Sequence, residues 1–407
     1  MSKKFVSFLG TGNYKHCIYT MKGKESHDVK FVQEALLDFL RKDFSPEDKI
    51  YILLTKEARN KHWQELKEQL DTMDLPCLVE DKDIMDSKSE ADVWGLFTQI
   101  FGFLEEKDQL YFDLTHSLRY LPMLFLSILQ YASYLKNIKV KGIYYGAYEV
   151  DGEKTGRAPI FNMTDAFVLT QWANAANAFT NYGVTDGLIQ CVQPGSNTYE
   201  GSKQLASSLS DISTSMICSR GSEIENGQVF SQTRTLMKEF RNAGLHPPFI
   251  PLLEKVEEKI AGFKEDSIAN FIPAVEWCIK HKMPQQGFTL LQEGFQSLVM
   301  SHFQLNHEDR SLRQVFASRL AGAAMQAVGK GDMFKPHRDE HKFKAQVTLW
   351  MSSDFFLQAG VLYTQIGKFR NDVNHGGING KKYKDVYKGL KKKLKEVKQL
   401  CQKHSVF

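Results

Sequence analysis

Arg370, Asn371 and His375 lie within the short run Arg370-Asn371-Asp372-Val373-Asn374-His375. The run joins a cation that does not deprotonate to an imidazole that exchanges protons near neutrality. Such a pair suits phosphodiester chemistry, because a guanidinium can hold a phosphate while an imidazole moves or orients a proton. A plainer reading is also open: a helix-end salt bridge with a cap. The element that must position these groups is upstream. Phe355, Ala359, Leu362, Ile366, Phe369 and Val373 recur at alternating steps of four and three, the stripe of a helix packed lengthwise on another helix. Gly376-Gly377 then supplies the left-handed stop of a helix end.

A second copy, Arg241-Asn242-Ala243-Gly244-Leu245-His246, repeats even the asparagine. Gly244 and Pro247-Pro248 interrupt it, so its histidine falls on a loop or turn without a rigid frame. The framed copy at Arg370 is the one expected to do chemistry.

A chain of 407 residues with 42% hydrophobic content can build two or three domains with real cores. The net charge of +4 does not demand nucleic acid globally, so any basic surface must be local. The six cysteines show neither CxxC nor Cys/His clustering, which argues against structural zinc and suits a reducing cytoplasm. The amino-terminal residues run into a strand-like segment without a signal-peptide pattern, and the most apolar run, 121–135, is too short for a bilayer. A soluble cytoplasmic protein with no membrane contact is expected.

Strand-like and helix-like segments alternate through residues 1–165. Strands are expected at 5–9, 49–55, 75–79, 109–115 and 140–150, and helices at 29–41, 57–73, 90–105 and 118–135. Asp151-Gly152 begins a turn into 158–163, a returning hairpin strand. The alternation implies an α/β Rossmann-like parallel sheet whose ligands bind at the carboxyl ends of the strands. Those ends carry Gly10-Thr11-Gly12-Asn13, then Thr55, then Asp113-Leu114-Thr115-His116-Ser117-Leu118-Arg119. Hydroxyls and amides on tight turns and helix starts suit phosphate oxygens. For Asp113 and Thr115, plain strand-end turn chemistry is the competing account. Gly10-x-Gly12 lacks the third glycine of a dinucleotide fingerprint and no Walker A loop exists, so an NAD enzyme or P-loop ATPase is not expected.

From residue 164 onward the pattern is helical. Residues 166–265 read as an all-α connector with a proline-rich joint at 244–251, and 266–407 as an all-α helical bundle. Pro284 opens one bundle helix, with Phe288, Leu291, Phe295 and Leu298 on one face. His337 and His341 are four apart without further ligands nearby, so a solvated helix start is favoured over a metal site, and no metal is expected. Residues 381–403 hold ten lysines against Asp385 and Glu396, either a solubilising face or an RNA-steering surface.

Asp113-Leu114-Thr115-His116-Ser117 resembles the DxTHG signature of CRISPR-associated proteins with a CARF sensor domain, with serine where that family usually has glycine. The opening Phe8-Leu9-Gly10-Thr11-Gly12-Asn13-Tyr14 and Tyr144-Tyr145-Gly146 are similar to it too. The resemblance implies a Rossmann-like sensor domain that dimerises and binds a cyclic oligoadenylate made by type III CRISPR systems on detecting foreign RNA. Cyclic tetra-adenylate is expected over the six-membered ring. The carboxyl half resembles a HEPN ribonuclease domain, whose signature (Arg, a polar residue, three residues, His, near a helix end) is met by Arg370, Asn371 and His375.

Together the resemblances imply an endoribonuclease of type III antiviral defence, activated by cyclic oligoadenylate and acting on single-stranded RNA without metal or other cofactor. The chemistry agrees: RNA carries its own 2′-OH nucleophile, and the carboxyl half shows no acidic cluster for two-metal catalysis. Arg370 is assigned to the scissile phosphate, His375 to proton transfer or 2′-OH orientation, and Asn371 to positioning. Positions i and i+5 of a helix point about 140° apart. Two motifs meeting across a homodimer would therefore complete one site, with the heptad stripe offering a packing seam. Gly10, Thr11, Gly12, Asn13, Thr55, Thr115, His116, Ser117 and Arg119 are the candidate ligand-binding residues. A non-catalytic sensor that docks nucleic acid or a partner protein is the alternative. Slow cleavage of the cyclic ligand by the sensor itself, and assemblies above the dimer, are left open.

Overall fold

The computed structural model describes residues 2–85, 89–116, 121–192, 201–242, 247–378 and 382–406. Two compact units result: Met1–Gln171, and Trp172–Val192 with Tyr199–Phe407. The division falls inside helix Thr164–Tyr182. Residues on both sides of 265 belong to the second unit.

The first unit is built on an eight-stranded, mostly parallel sheet. Its strands are β1 (Lys3–Leu9), β2 (Cys17–Met21), β3 (Lys24–Val29), β4 (Lys49–Leu54), β5 (Leu78–Asp83), β6 (Gln109–Asp113), β7 (Lys139–Gly146) and β8 (Arg157–Asn162), in the order β3-β2-β8-β7-β6-β1-β4-β5. Strands β7-β6-β1-β4-β5 are parallel throughout. The central β1 is apolar on both faces because helices cover both. Phe5 and Leu9 enter one core and Val6 and Phe8 the other. From β1 the chain builds outward through β4 and β5, then returns to place β6 and β7 on the opposite side. The switch point therefore lies between the carboxyl ends of β1 and β6, the place where open α/β sheets bind ligands.

The sequence expectations need correction at four places. The β2–β3 hairpin was not anticipated; its two-residue turn, Lys22-Gly23, has positive φ at both residues (51° and 75°), as the twist of a tight hairpin requires. The third parallel strand begins at Leu78, three residues later than expected, and is rich in charge. An edge strand tolerates this because its charges pair locally, Glu80 with Lys82 and both Asp81 and Asp83 with Arg59. The seventh strand stops at Gly146, and Tyr148–Thr155 is a helix rather than strand and turn. Gly156, at φ 65°, ends that helix and leads into β8, which returns antiparallel to β7 as the hairpin expectation required. Finally, helix Lys344–Ser352 precedes the striped helix unannounced.

The described elements of the second unit are all helical. Pro284 opens helix Pro284–His302, and Phe288, Leu291, Phe295 and Leu298 are buried. The striped helix spans Asp354–Asn374, with Ser353 accepting from the Phe356 amide as its cap. Gly376 and Gly377 follow at φ 72° and 71°, and the Gly377 amide donates to the Asp372 carbonyl to close the end. Phe355, Ala359, Leu362 and Ile366 are all buried within this one chain. That part of the stripe is filled by the chain's own helices, while Phe369 and Val373 stay partly exposed near the motif; a 3.5-residue period serves packing within a chain or between two copies equally.

Candidate functional site

The strand-end loops at the switch point brace one another. Asp113, fully buried at the end of β6, accepts from the Ser7 hydroxyl of β1 (2.6 Å), the Thr115 hydroxyl (2.5 Å) and the Thr115 amide (3.0 Å). Burial pushes its pKa up, and the hydrogen bonds from Ser7 and Thr115 pull the other way. Thr115 then accepts from the Gly146 amide of β7 at 2.8 Å, so one hydroxyl links β6 to β7. Gly10 fits because its backbone passes close to the next loop: a Cβ there would stand 2.9 Å from the His116 carbonyl oxygen.

Residues 11–13 are exposed on the rim. They are held from the helix after β4, where Lys61 donates to the Thr11 carbonyl (2.6 Å) and reaches Asn13 Oδ1 (3.4 Å). His62 Nε2 donates to the Gly12 carbonyl at 2.8 Å. Lys61 and His62 escaped the sequence reading. The one signal for them is structural, a π-helical turn over Arg59–Trp63 that interrupts the helix from Lys56 to Thr72. Thr55 caps the start of that helix, its hydroxyl accepting from the Ala58 amide at 3.3 Å.

His116 packs its ring on Tyr14 with centroids 4.4 Å apart, and its Nε2 has no hydrogen-bond partner among the described residues. Desolvation, aided by nearby His62, lowers its pKa to about 4. It is therefore neutral at physiological pH, and its buried Nε2 holds an unmet hydrogen bond rather than a charge. Gly10, Thr11, Gly12, Asn13, Thr115 and His116 thus converge on one rim, with Thr55 on the adjoining strand end. Ser117 and Arg119 lie outside the described residues.

The second locus is the end of helix Asp354–Asn374. Phe369 is clamped there: it stacks on Phe288 (5.1 Å, 3° between planes), and a Cβ on Gly389 would come within 2.6 Å of its ring. Register is thereby fixed for Arg370, whose side chain is 32% exposed and whose Nη2 donates to Asn371 Oδ1 at 3.2 Å. Glu293 sits 3.9 Å from Arg370 Nη1 but binds Arg313 more closely, at 2.7 Å. Arg370 is only loosely committed, and a pair so long and solvated contributes little. His375 caps the helix and is exposed. Burial pushes Tyr363 up to about 12, and its hydroxyl donates to Gln296 Oε1 (3.1 Å), fixing the helix behind Arg370. In the other copy of the motif, Arg241 pairs with Glu257 at 3.1 Å, and His246 lies outside the described residues.

Beyond the motif, Lys384, Lys388, Lys391 and Lys395 form an exposed stripe on helix Tyr383–Lys403, at steps of four and three. Lys393 and Lys398 instead point to Glu396 and Glu276. Among the described residues no group of three or more His, Cys, Asp or Glu side chains could hold a metal ion. Nor is any described helix long and apolar enough to cross a membrane.

The fold is a Rossmann-like domain followed by a helical region. Residues 4–149 match the family model described as "CRISPR system endoribonuclease Csx1, CARF domain". Residues 168–264 match that of "CRISPR-associated protein MJ1674, second domain". The CRISPR-associated protein MJ1674 of Methanocaldococcus jannaschii is 28% identical over 207 residues, which make up 50% of this chain and 31% of that protein. The chain thus matches less than a third of the length of this relative. These findings support a CRISPR-associated protein that contains a CARF domain.

Proposed function

We propose that the protein is an endoribonuclease of type III CRISPR defence, activated when a cyclic oligoadenylate, cyclic tetra-adenylate by preference, occupies the β1/β6 switch point. The observation that carries the nuclease half is the state of the two arginine–histidine motifs. Arg370 is framed by a clamped helix and loosely paired, with His375 exposed one turn further on. Arg241 is instead tied to Glu257. In this reading Arg370 neutralises the scissile phosphate and His375 shuttles or orients a proton for 2′-OH attack, so no metal is required. Asn371, bonded to Arg370, sets the guanidinium plane. The exposed lysine stripe from Lys384 to Lys395 steers single-stranded RNA toward the helix end. A homodimer supplies a second motif and a second switch point, giving the sensor a symmetric ligand site.

The test uses purified protein, labelled RNA and EDTA, with and without cyclic tetra- or hexa-adenylate. Wild type should cut only with activator and leave 2′,3′-cyclic phosphate or 3′-phosphate ends. Arg370→Ala and His375→Ala should each abolish cutting while retaining activator binding, and Arg241→Ala should cut substantially. Products with 3′-hydroxyl ends, strict magnesium dependence, or an inactive Arg241→Ala beside an active Arg370→Ala would overturn the assignment.

A further inference from the structure

Within the second unit, the 173–181 part of helix Thr164–Tyr182 joins helices Ile250–Ile260 and Phe271–Lys280 around an open cavity of about 720 Å³. That size falls within the roughly 300–1,000 Å³ of small-ligand sites. The charges on its wall do not balance. Glu258 is taken by Lys255 (2.9 Å) and Glu276 by Lys398 (2.5 Å). Lys259 and Lys280 also line it, and neither has a carboxylate partner among the described residues. Lys259 is half-buried, its ammonium 4.2 Å from the centre of the Trp277 ring, a contact that holds a cation without neutralising it. Burial and then the Lys280 charge lower its pKa to about 8. A desolvated ammonium beside a second one is relieved by an anion. Opposite them Asn177 and Asn181, joined at 2.6 Å, present amide donors and acceptors from exposed positions.

Two uncompensated ammoniums fit a phosphate, and paired amides beside them fit the edges of a base or ribose. We propose that this cavity binds a nucleoside phosphate, as a free nucleotide or as one unit of an RNA strand. Neither source requires Arg370 and His375 to perform cleavage.

The full-length protein is treated with limiting acetic anhydride, and lysine modification is read by mass spectrometry. The probes are AMP, inorganic phosphate and a short 2′-O-methyl RNA that cannot undergo 2′-OH attack. AMP should protect Lys259 and Lys280 by about tenfold while leaving Lys384 and Lys388 unprotected, if the source is the free nucleotide. Protection of Lys259 and Lys280 by the RNA and not by AMP assigns the site to a strand. In calorimetry with the protecting probe, Lys259→Met should weaken binding about ten- to a hundredfold, and Lys259→Arg should keep most of the affinity. No protection by either AMP or RNA overturns the proposal. Equal protection by inorganic phosphate and AMP overturns its nucleoside part. Labelling of the wild type decides the matter even if a variant misfolds. The same result is expected in Arg370→Ala protein, so failure here leaves the ribonuclease reading untouched.

Discussion

Burial sets the protonation of two histidines, one in each unit, and the consequence is measurable. His116 is lowered to about 4 by desolvation and the neighbouring His62. His281 is lowered to about 4 by desolvation and by Lys259, although its Nδ1 bond to the Asn181 carbonyl at 2.9 Å opposes this. An unfolded histidine titrates near pH 6.5, so between about 4 and 6.5 the unfolded chain binds more protons than the folded one. The stability contributed by each neutral ring is complete above pH 6.5 and is lost as pH falls toward 4. Melting temperature should therefore drop between about pH 6.5 and 5, before most carboxylates titrate. His116→Gln and His281→Gln should each flatten part of that drop. An acid slope unchanged in both variants would show that the rings are solvated in solution.

At the scale of elements, the close approach of helices Arg310–Ala327 and Asp354–Asn374 depends on Gly360. A Cβ there would stand 2.4 Å from the Leu320 carbonyl oxygen and 2.7 Å from Ala323 Cβ. Alanine in a helix interior gains about 1 kcal/mol over glycine by propensity. Overpacking a tight seam costs about 1–3 kcal/mol, so Gly360→Ala should be destabilising, with a lower denaturation midpoint in urea. A raised midpoint would mean that the helices stand further apart. Gly360 also marks what the sequence could convey. The stripe from Phe355 to Ile366, the Gly376-Gly377 stop and the β-α alternation all lie in contiguous residues, so periodicity and punctuation revealed the sensor fold and the framing of Arg370. The placement of Lys61 and His62 against residues 11–13 depends on a π turn and on packing between segments fifty residues apart. No local pattern encodes that. The β2–β3 hairpin was missed because its turn is Lys22-Gly23 rather than Asn-Gly, and because Lys24–Val29 is largely exposed and polar. The stripe's partner helices were not legible, because spacing states that a face is buried and not which helix buries it.

At the scale of the whole molecule, a ligand in the first unit can govern chemistry in the second only if the cutting arrangement binds that ligand more tightly than the idle one. The rim residues then carry coupling energy as well as affinity, and losing one shifts the activation curve without altering the cutting groups. A charged hydrogen bond to a ligand phosphate is worth about 1.5–3 kcal/mol, or roughly ten- to a hundredfold in the activator concentration needed. Arg119, a candidate ligand-binding residue from the sequence, is the cation we propose for that contact. His116, neutral in its pocket beside Tyr14, can offer one ordinary hydrogen bond of about 1 kcal/mol, a shift of about fivefold. The two variants should therefore differ. In a titration of cyclic tetra-adenylate with RNA cleavage as readout, Arg119→Ala should move the midpoint further right than His116→Ala. Both curves should approach the wild-type plateau if these residues act in sensing and not in cutting. Midpoints unchanged in both variants, or full wild-type cleavage without activator, would remove the switch point from control of the nuclease. A lowered plateau with an unmoved midpoint would instead place these side chains in the chemistry rather than in the sensing.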